Sequence, residues 1–259
     1  MSNKLSFYID RPSPLQRLNP LTKMAVAFAF IIIAFSAHWY WAPLIIFFVG
    51  IIPIAVVGKL GREFFSTSVH LFLPLFAFLF VMQSLFHPGG TTVLFRLWFL
   101  TVKLEGVQFA FLTATRILVM VSSFLLVLLS THPSTLMSDL TQRGFPAMLS
   151  YIVTSTLQII PQMRNKAGTI IDAQHSRGMN TEGSLGQRVK ALLPLVGPLV
   201  FGSLVDVEER AVALEARAFN APRKKTSLRE IPDTGWEKVV RWICLLLVVV
   251  SMGSNIWLS

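Results

Sequence analysis

Apolar residues fall into five long stretches along this chain. The stretches cover about residues 24–37, 40–57, 70–86, 106–130 and 239–258. A helix that crosses the hydrocarbon core of a bilayer needs roughly 20 apolar residues, so we expect the two shorter stretches, the first and the third, to tilt or to insert only in part. The pattern predicts an all-α membrane protein of about five transmembrane helices, with a more polar insertion before the last of them.

The composition supports a lipid bilayer as the main solvent of the chain. Of its 259 residues, 53% are hydrophobic and only 14% are charged, whereas charged residues make up about a quarter of an ordinary globular protein. The formal net charge of +10 raises the question of nucleic-acid binding. The basic residues flank the apolar stretches, however, which is the pattern of a membrane protein, and we predict no nucleic-acid partner.

The distribution of Lys and Arg predicts the orientation. Basic residues precede the first stretch and separate the second from the third, namely Lys4, Arg11, Arg17, Lys23, Lys59 and Arg62. The turn 38–41 has none, and the connection 87–105 has only Arg96 and Lys103. Because basic loops stay in the cytoplasm, we predict a cytoplasmic N terminus. The predicted domains are N-terminal transmembrane helices at 1–130, cytoplasmic helices at 131–236 and a last transmembrane helix at 237–259.

The cytoplasmic region contains signals for three helices. Pro133 and Ser134 favour a helix start and Gly144 a helix stop. Pro161 either kinks the next helix or begins a new one that runs to Ser176. A further long helix is predicted from Pro198 to Ala218.

Two arginines stand between small residues near the ends of the two long helices. The two motifs are Ser176, Arg177, Gly178 and Ala216, Arg217, Ala218. A single arginine of this kind usually belongs to a solvated helix face. Two of them, on the same side of the membrane and with little steric cover, predict docking groups, because a guanidinium offers a fixed fork of donors to a carboxylate or carbonyl of a partner.

The sequence contains no enzyme signature. There is no phosphate-binding loop, no nucleophile elbow and no metal-ligand pairing among the five histidines. We therefore predict a non-catalytic chain that binds no cofactor and no metal of its own. Arg116 lies within the fourth apolar stretch, where it either serves a function inside the membrane or extends its side chain to the surface.

Several segments resemble the transmembrane T component of energy-coupling factor transporters, the EcfT/CbiQ-like family. "SPLQRLNPLTKM" at 13–24 is similar to the family's N-terminal signature, and "THPSTLMSDLTQRGFP" at 131–146 is similar to the segment that leads into its coupling domain. "AQHSRGM" and "ALEARAF" resemble its two short arginine motifs, with Ser176 and Ala218 as departures from the family's Ala-Arg-Gly. The resemblance extends over nearly the whole chain.

The resemblance implies a function and partners. Arg177 and Arg217 would dock into grooves on two cytoplasmic ABC ATPase subunits, which bind the ATP and Mg. Their motion would pass through this chain to a separate substrate-binding membrane subunit, the S component, for vitamin or transition-metal uptake. The chain would lie in the plasma membrane of a prokaryote as a multi-pass protein.

The surface that contacts the S component is predicted from apolar positions near the bilayer. The candidates are Leu136, Met137 and Leu140, together with the apolar stretch 191–201. Two other classes of protein are alternatives: a membrane insertase, which also combines few spans with a cytoplasmic hairpin and an intramembrane arginine, and a secondary carrier, which predicts inverted repeats that the sequence does not show.

Overall fold

The computed structural model describes residues 13–37, 39–86, 92–97, 100–178, 185–222 and 231–258. The chain forms two compact units, Met1–Asp139 with Glu230–Ser259, and Leu140–Arg229. Of the residues used to predict the orientation, Lys4 and Arg11 lie outside the described part. The division into units shows a segment inserted before the last helix, while its cytoplasmic location stays a prediction.

The first unit is helical apart from a short hairpin, within the residues described. Its elements are α1 (Pro14–Arg17), α2 (Pro20–Ser36), α3 (Ala42–Ile45), a π-helical segment (Ile46–Ile51), α4 (Ile52–Val57), α5 (Gly61–Phe86), β1 (Val93–Leu97), β2 (Leu100–Lys103), α6 (Leu104–Ser130) and α10 (Gly235–Leu258). Helix α7 (Pro133–Gln142) carries the chain from the first unit into the second.

The helices coincide with the five apolar stretches. Helices α5 and α6 are long and apolar enough to cross a membrane, and Pro20–Ser36 and Ala42–Val57 are shorter apolar helices. The number of crossings therefore stays a prediction.

Individual residues explain the start of α2 and the π-helical turn before α4. The side chain of Asn19 accepts a hydrogen bond from the backbone N–H of Leu21 at 2.9 Å, and Pro20 occupies the first helical position. Both are favoured at a helix N terminus. Pro53 has no N–H to donate, and the π-helical segment immediately before α4 gives the wider turn that accommodates it.

The connection between α5 and α6 differs from the prediction. The sequence analysis predicted no strands there, but the connection contains an antiparallel pair in which Val93 faces Lys103 and Leu97 faces Leu100. The segment is rich in β-branched and aromatic residues, which fit a pleated ribbon. The short strands carry no signal strong enough to separate them from a connecting segment, because their pairing depends on contacts between Val93–Leu97 and Leu100–Lys103.

A hydrophobic core holds the helices of the first unit together. It is formed by Leu15, Ala34, Phe47, Ile51, Ala55, Leu60, Phe64, Val119, Leu125, Leu126 and Leu129. Large apolar side chains elsewhere on these helices are exposed, particularly along α5 and α10. Exposed apolar faces of this extent indicate a lipid or protein environment around the unit.

The second unit is built on two long helices, α8 (Ala147–Ser176) and α9 (Leu185–Ala216). Helix α8 continues through Pro161, which was one of the two predicted alternatives, and α9 is longer than predicted because Pro194 and Pro198 lie inside it. Pro161 does not begin a new helix. A proline ends an isolated helix readily, but packing against a neighbouring helix offsets the lost hydrogen bond.

The pairing of α8 and α9 is antiparallel. Lys166 forms an ion pair with Asp206, and Arg210 donates a hydrogen bond to Gln162 at 2.7 Å. The rings of Tyr151 and Phe219 lie 5.3 Å apart. In these three contacts, a higher residue number on the α9 side is paired with a lower number on α8. The C-terminal end of each helix therefore lies beside the N-terminal part of the other.

Candidate coupling site

The first arginine motif forms the C-terminal end of α8. Ser176 is the last helical residue, and the N–H of Gly178 donates to the carbonyl of His175 at 2.9 Å. Gly178 adopts φ +84°, a left-handed conformation that glycine takes without steric cost. Arg177 follows the last helical residue directly, and this turn leaves its side chain exposed.

The second motif forms the same turn at the end of α9. Ala216 is the last helical residue, and Ala218 takes the left-handed position with φ +52°. A residue with a Cβ atom is strained there by about 1–2 kcal/mol. The N–H of Phe219 donates to the carbonyl of Leu214 at 3.0 Å. Ala218 therefore replaces the expected glycine without changing the backbone turn.

Both arginine side chains are available to a partner. Arg177 and Arg217 are exposed, and neither forms a side-chain hydrogen bond or ion pair with any described residue. Each lies at the negative end of a helix dipole, where a positive charge is favourable. A guanidinium in this position keeps its five donors for a carboxylate or carbonyl outside the unit.

The two arginines lie at opposite ends of the helix pair. Tyr151 near the start of α8 contacts Phe219 just after Arg217, whereas Arg177 follows the end of α8. More than twenty helical residues separate the two levels, which corresponds to roughly 30 to 35 Å at 1.5 Å per residue. Two arginines this far apart are suited to two separate binding sites on a partner rather than to one.

Of the predicted partner-contact segments, the stretch 191–201 lies within α9, and the three leucine and methionine positions lie on α7. Leu136, Met137 and Leu140 are all half-buried. On the same helix Asp139 is buried and accepts a hydrogen bond from the Asn19 side chain at 3.2 Å. Contact of the three apolar residues with another protein stays a prediction.

Arg116 binds the C-terminal end of α2. Its Nε donates to the carbonyl of Ala34 at 3.2 Å, and its terminal nitrogen donates to the carbonyl of Ala37 at 3.0 Å. The guanidinium lies 5.8 Å from the ring centre of Phe35. The last carbonyls of a helix have no partner within it, so Arg116 satisfies them and balances the helix dipole. A further functional role for Arg116 stays a prediction.

Replacing Arg116 by methionine is expected to lower stability. The change keeps the length of the side chain but leaves the carbonyls of Ala34 and Ala37 without their charged donor, and such bonds contribute about 1.5–3 kcal/mol. The midpoint of thermal unfolding of the purified chain in detergent measures the loss. Arg116→Lys is the matched control and should lose less, since it retains a cation. An unchanged midpoint for Arg116→Met would contradict the capping role.

The described residues contain no group of three or more His, Cys, Asp or Glu side chains that could hold a metal ion.

Comparison with known proteins places the chain in a family. The model of the family CbiQ, described as cobalt transport protein, matches residues 11–228. The chain is 25% identical to the energy-coupling factor transporter transmembrane protein EcfT of Lactococcus lactis subsp. cremoris, over 96% of each chain. It is 31% identical to the protein of that name from Lacticaseibacillus paracasei, over 87% of this chain and 88% of the relative. The Listeria innocua protein of that name is 27% identical, over 98% and 97%. With matches that extend through both arginine motifs, the chain belongs to the CbiQ family, the transmembrane components of energy-coupling factor transporters.

Proposed function

We propose that this chain transmits the ATP-driven motion of two ABC ATPase subunits to a substrate-binding membrane subunit. The observation that carries the proposal is the pair of exposed arginines, Arg177 and Arg217, at opposite ends of the α8–α9 pair. ATP and Mg are bound and ATP is hydrolysed on the partner subunits. This chain supplies the mechanical connection and no catalytic group.

The repetition of the motif supports a paired partner. A symmetric or nearly symmetric dimer presents the same surface twice. Two equivalent grooves require two similar groups to fill them, and Arg177 and Arg217 end their helices in the same left-handed turn. One groove on each ATPase, filled by one arginine, accounts for both the likeness of the motifs and their separation.

The transported substrate is proposed only as a class. The matching family model is described as cobalt transport protein, and the relatives are named as energy-coupling factor components. We propose uptake of a vitamin or a transition-metal ion, with the choice made by the substrate-binding subunit.

Purification of the tagged chain from native membranes in mild detergent tests the proposal. We expect two ABC ATPase subunits and one small membrane protein to be recovered with each copy of the chain. Co-purification of ribosomes without ATPases would instead support an insertase and would contradict the coupling function.

The proposed topology places the N terminus and residues 131–236 in the cytoplasm. It predicts the labelling of single cysteines, introduced in a Cys244→Ser background, by an impermeant thiol reagent on intact cells. We expect labelling for Thr91→Cys and Ser259→Cys, but not for Ser2→Cys or Ser227→Cys; all four positions lie outside the described residues. Labelling of the Ser227→Cys variant from outside would overturn this topology.

A further inference from the structure

Asn19 connects three helices through one buried side chain and its backbone. The residue is fully buried, and its Oδ1 caps α2 by accepting from the N–H of Leu21 at 2.9 Å. Its Nδ2 donates to Oδ1 of Asp139 on α7 at 3.2 Å. Its backbone N–H donates to Oε1 of Glu237, in the first turn of α10, at 3.0 Å. We call Asn19, Asp139 and Glu237 the polar junction.

The polar junction joins the two points where the chain leaves and re-enters the first unit. Asp139 is the last residue of that unit before the insertion, and the chain returns to it at Glu230, seven residues before Glu237. Asp139 on α7, before the insertion, and Glu237 on α10, after it, are therefore both hydrogen-bonded to the residue that caps α2.

Further polar contacts next to the polar junction hold α2 and α10 in place and add α6. Lys23, one turn further along α2, is buried and donates to the carbonyl of Ser130, the last residue of α6, at 2.9 Å. Arg241 on α10 donates to the hydroxyl of Thr22 at 2.9 Å and pairs with Asp233 at 2.8 Å. These contacts hold the ends of α2, α6 and α10 around the polar junction.

The chemistry of the polar junction favours specificity over stability. Asp139 and Glu237 are each less than 5% exposed, and burying carboxylates is costly. Apolar side chains of similar volume would often hold the helices at least as firmly. A hydrogen-bonded junction specifies one arrangement of its three helices, and any displacement of α7 against α10 has to act on Asn19.

We propose that the polar junction is the point where motion of the coupling helices reaches α2, with Asn19 as a positioning residue. This rests on the proposed function, in which ATP binding moves α8 and α9. A displacement of these helices pulls on α7 and on the connection to α10. The hydrogen bonds to Asp139 and Glu237 then shift the start of α2, and the rigid helix carries the shift across the membrane unit.

Three variants separate the hydrogen bond from the other properties of these residues. Asn19→Ser retains a capping hydroxyl for α2, but its side chain lacks the reach to Asp139. Asp139→Leu removes the acceptor on α7. Asp139→Asn is the matched control for the latter, because its amide oxygen still accepts from Asn19 while the charge is lost.

The experiment measures a distance in the assembled complex of this chain with its ATPases and substrate-binding subunit. Spin labels are attached to cysteines replacing Ile32 on α2 and Leu73 on α5, both exposed, in the Cys244→Ser background. Helix α5 contributes no residue to the polar junction and serves as the reference. The distance distribution is recorded by electron paramagnetic resonance without nucleotide and with a non-hydrolysable ATP analogue, and ATP hydrolysis is measured on the same preparations.

We expect the ATP analogue to shift the distance in the parent complex and in Asp139→Asn. The shift should be lost in Asn19→Ser and Asp139→Leu, although both retain their ATPases and hydrolyse ATP. A role limited to stability would instead lower the recovery of the complex and leave the shift intact in what is recovered. An equal shift in all four complexes, no shift in the parent, or a loss in Asp139→Asn as large as in Asp139→Leu would each overturn the inference.

The outcome also distinguishes this inference from the proposed function. If the parent chain binds no ATPases, the proposed function fails. If the ATPases bind and the distance shift survives in Asn19→Ser and Asp139→Leu, only the role of the polar junction is overturned.

Discussion

The double substitution Arg177→Glu with Arg217→Glu is expected to abolish both assembly with the ATPases and substrate uptake, while the chain still inserts into the membrane. Each arginine would lose a charged hydrogen-bonded contact worth roughly 1.5–3 kcal/mol, and a partner group left buried without its charge raises the cost to roughly 3–5 kcal/mol. Each reversed charge also repels the carboxylates that an arginine would have bound. Co-purification of ATPases with the tagged variant measures assembly.

Single substitutions should have a smaller effect on assembly. Either Arg177→Ala or Arg217→Ala is expected to weaken its own contact by one to three orders of magnitude, at about 1.4 kcal/mol per factor of ten. The remaining arginine keeps the ATPase pair at a high effective concentration, so a single variant can still assemble. Substrate uptake should nevertheless fall, because transmission of the ATPase motion requires both α8 and α9 to be bound by the ATPases.

The matched control is Arg164→Glu. Arg164 is an exposed arginine on the same helix as Arg177, and its side chain has no hydrogen-bond or ionic partner among the described residues. The control makes the same charge change as either one of the two substitutions, away from the helix end, and is expected to leave assembly intact. If the double variant inserts, retains its ATPases and supports uptake, then Arg177 and Arg217 are only part of a solvated surface.

Replacing Leu136 and Leu140 together by aspartate is expected to release the substrate-binding subunit while both ATPases stay bound. Burying a leucine side chain contributes roughly 1.5–3 kcal/mol, so losing two such contacts weakens binding at least a hundredfold. Charges introduced into an apolar interface add a desolvation cost. Quantitative co-purification of the subunits measures both effects in one experiment.

The controls for this variant address folding. Gln142→Asp adds a negative charge at the exposed end of the same helix and should leave all subunits bound. Because Leu136 and Leu140 are half-buried in the chain itself, the thermal unfolding of the double variant is measured as well. A folded double variant that keeps its membrane partner would show that this surface of α7 does not bind the substrate-binding subunit.

Helix positions were predictable where one residue type dictates the local backbone. Pro133 begins α7, and Gly144 and Gly178 have the positive φ angles expected of residues that end helices. The sequence left two alternatives at Pro161, a continuing helix or a new one, because the choice between them depends on packing against α9. The π-helical segment before α4 likewise depends on how Pro53 is accommodated within a continuing helix.

The candidate site was predictable in part. The two arginine motifs are short and continuous in sequence, so a pattern of small residues around Arg177 and Arg217 was sufficient to find them. Their positions at opposite ends of an antiparallel pair depend on contacts such as Tyr151 with Phe219. The polar junction was missed because Asn19 lies 120 residues from Asp139 and 218 from Glu237, and no local pattern connects them.

Photo-crosslinking from beside each arginine tests most directly whether Arg177 and Arg217 each hold one ATPase. A photoreactive residue replaces Ser176, Ala216 or both, which are exposed neighbours of the unchanged arginines. The masses of the crosslinked products from the assembled transporter are then measured. We expect one ATPase to be captured from either position and two to be captured by the doubly substituted chain. An actively hydrolysing complex in which neither position captures an ATPase, or in which both capture the same single subunit, would contradict it.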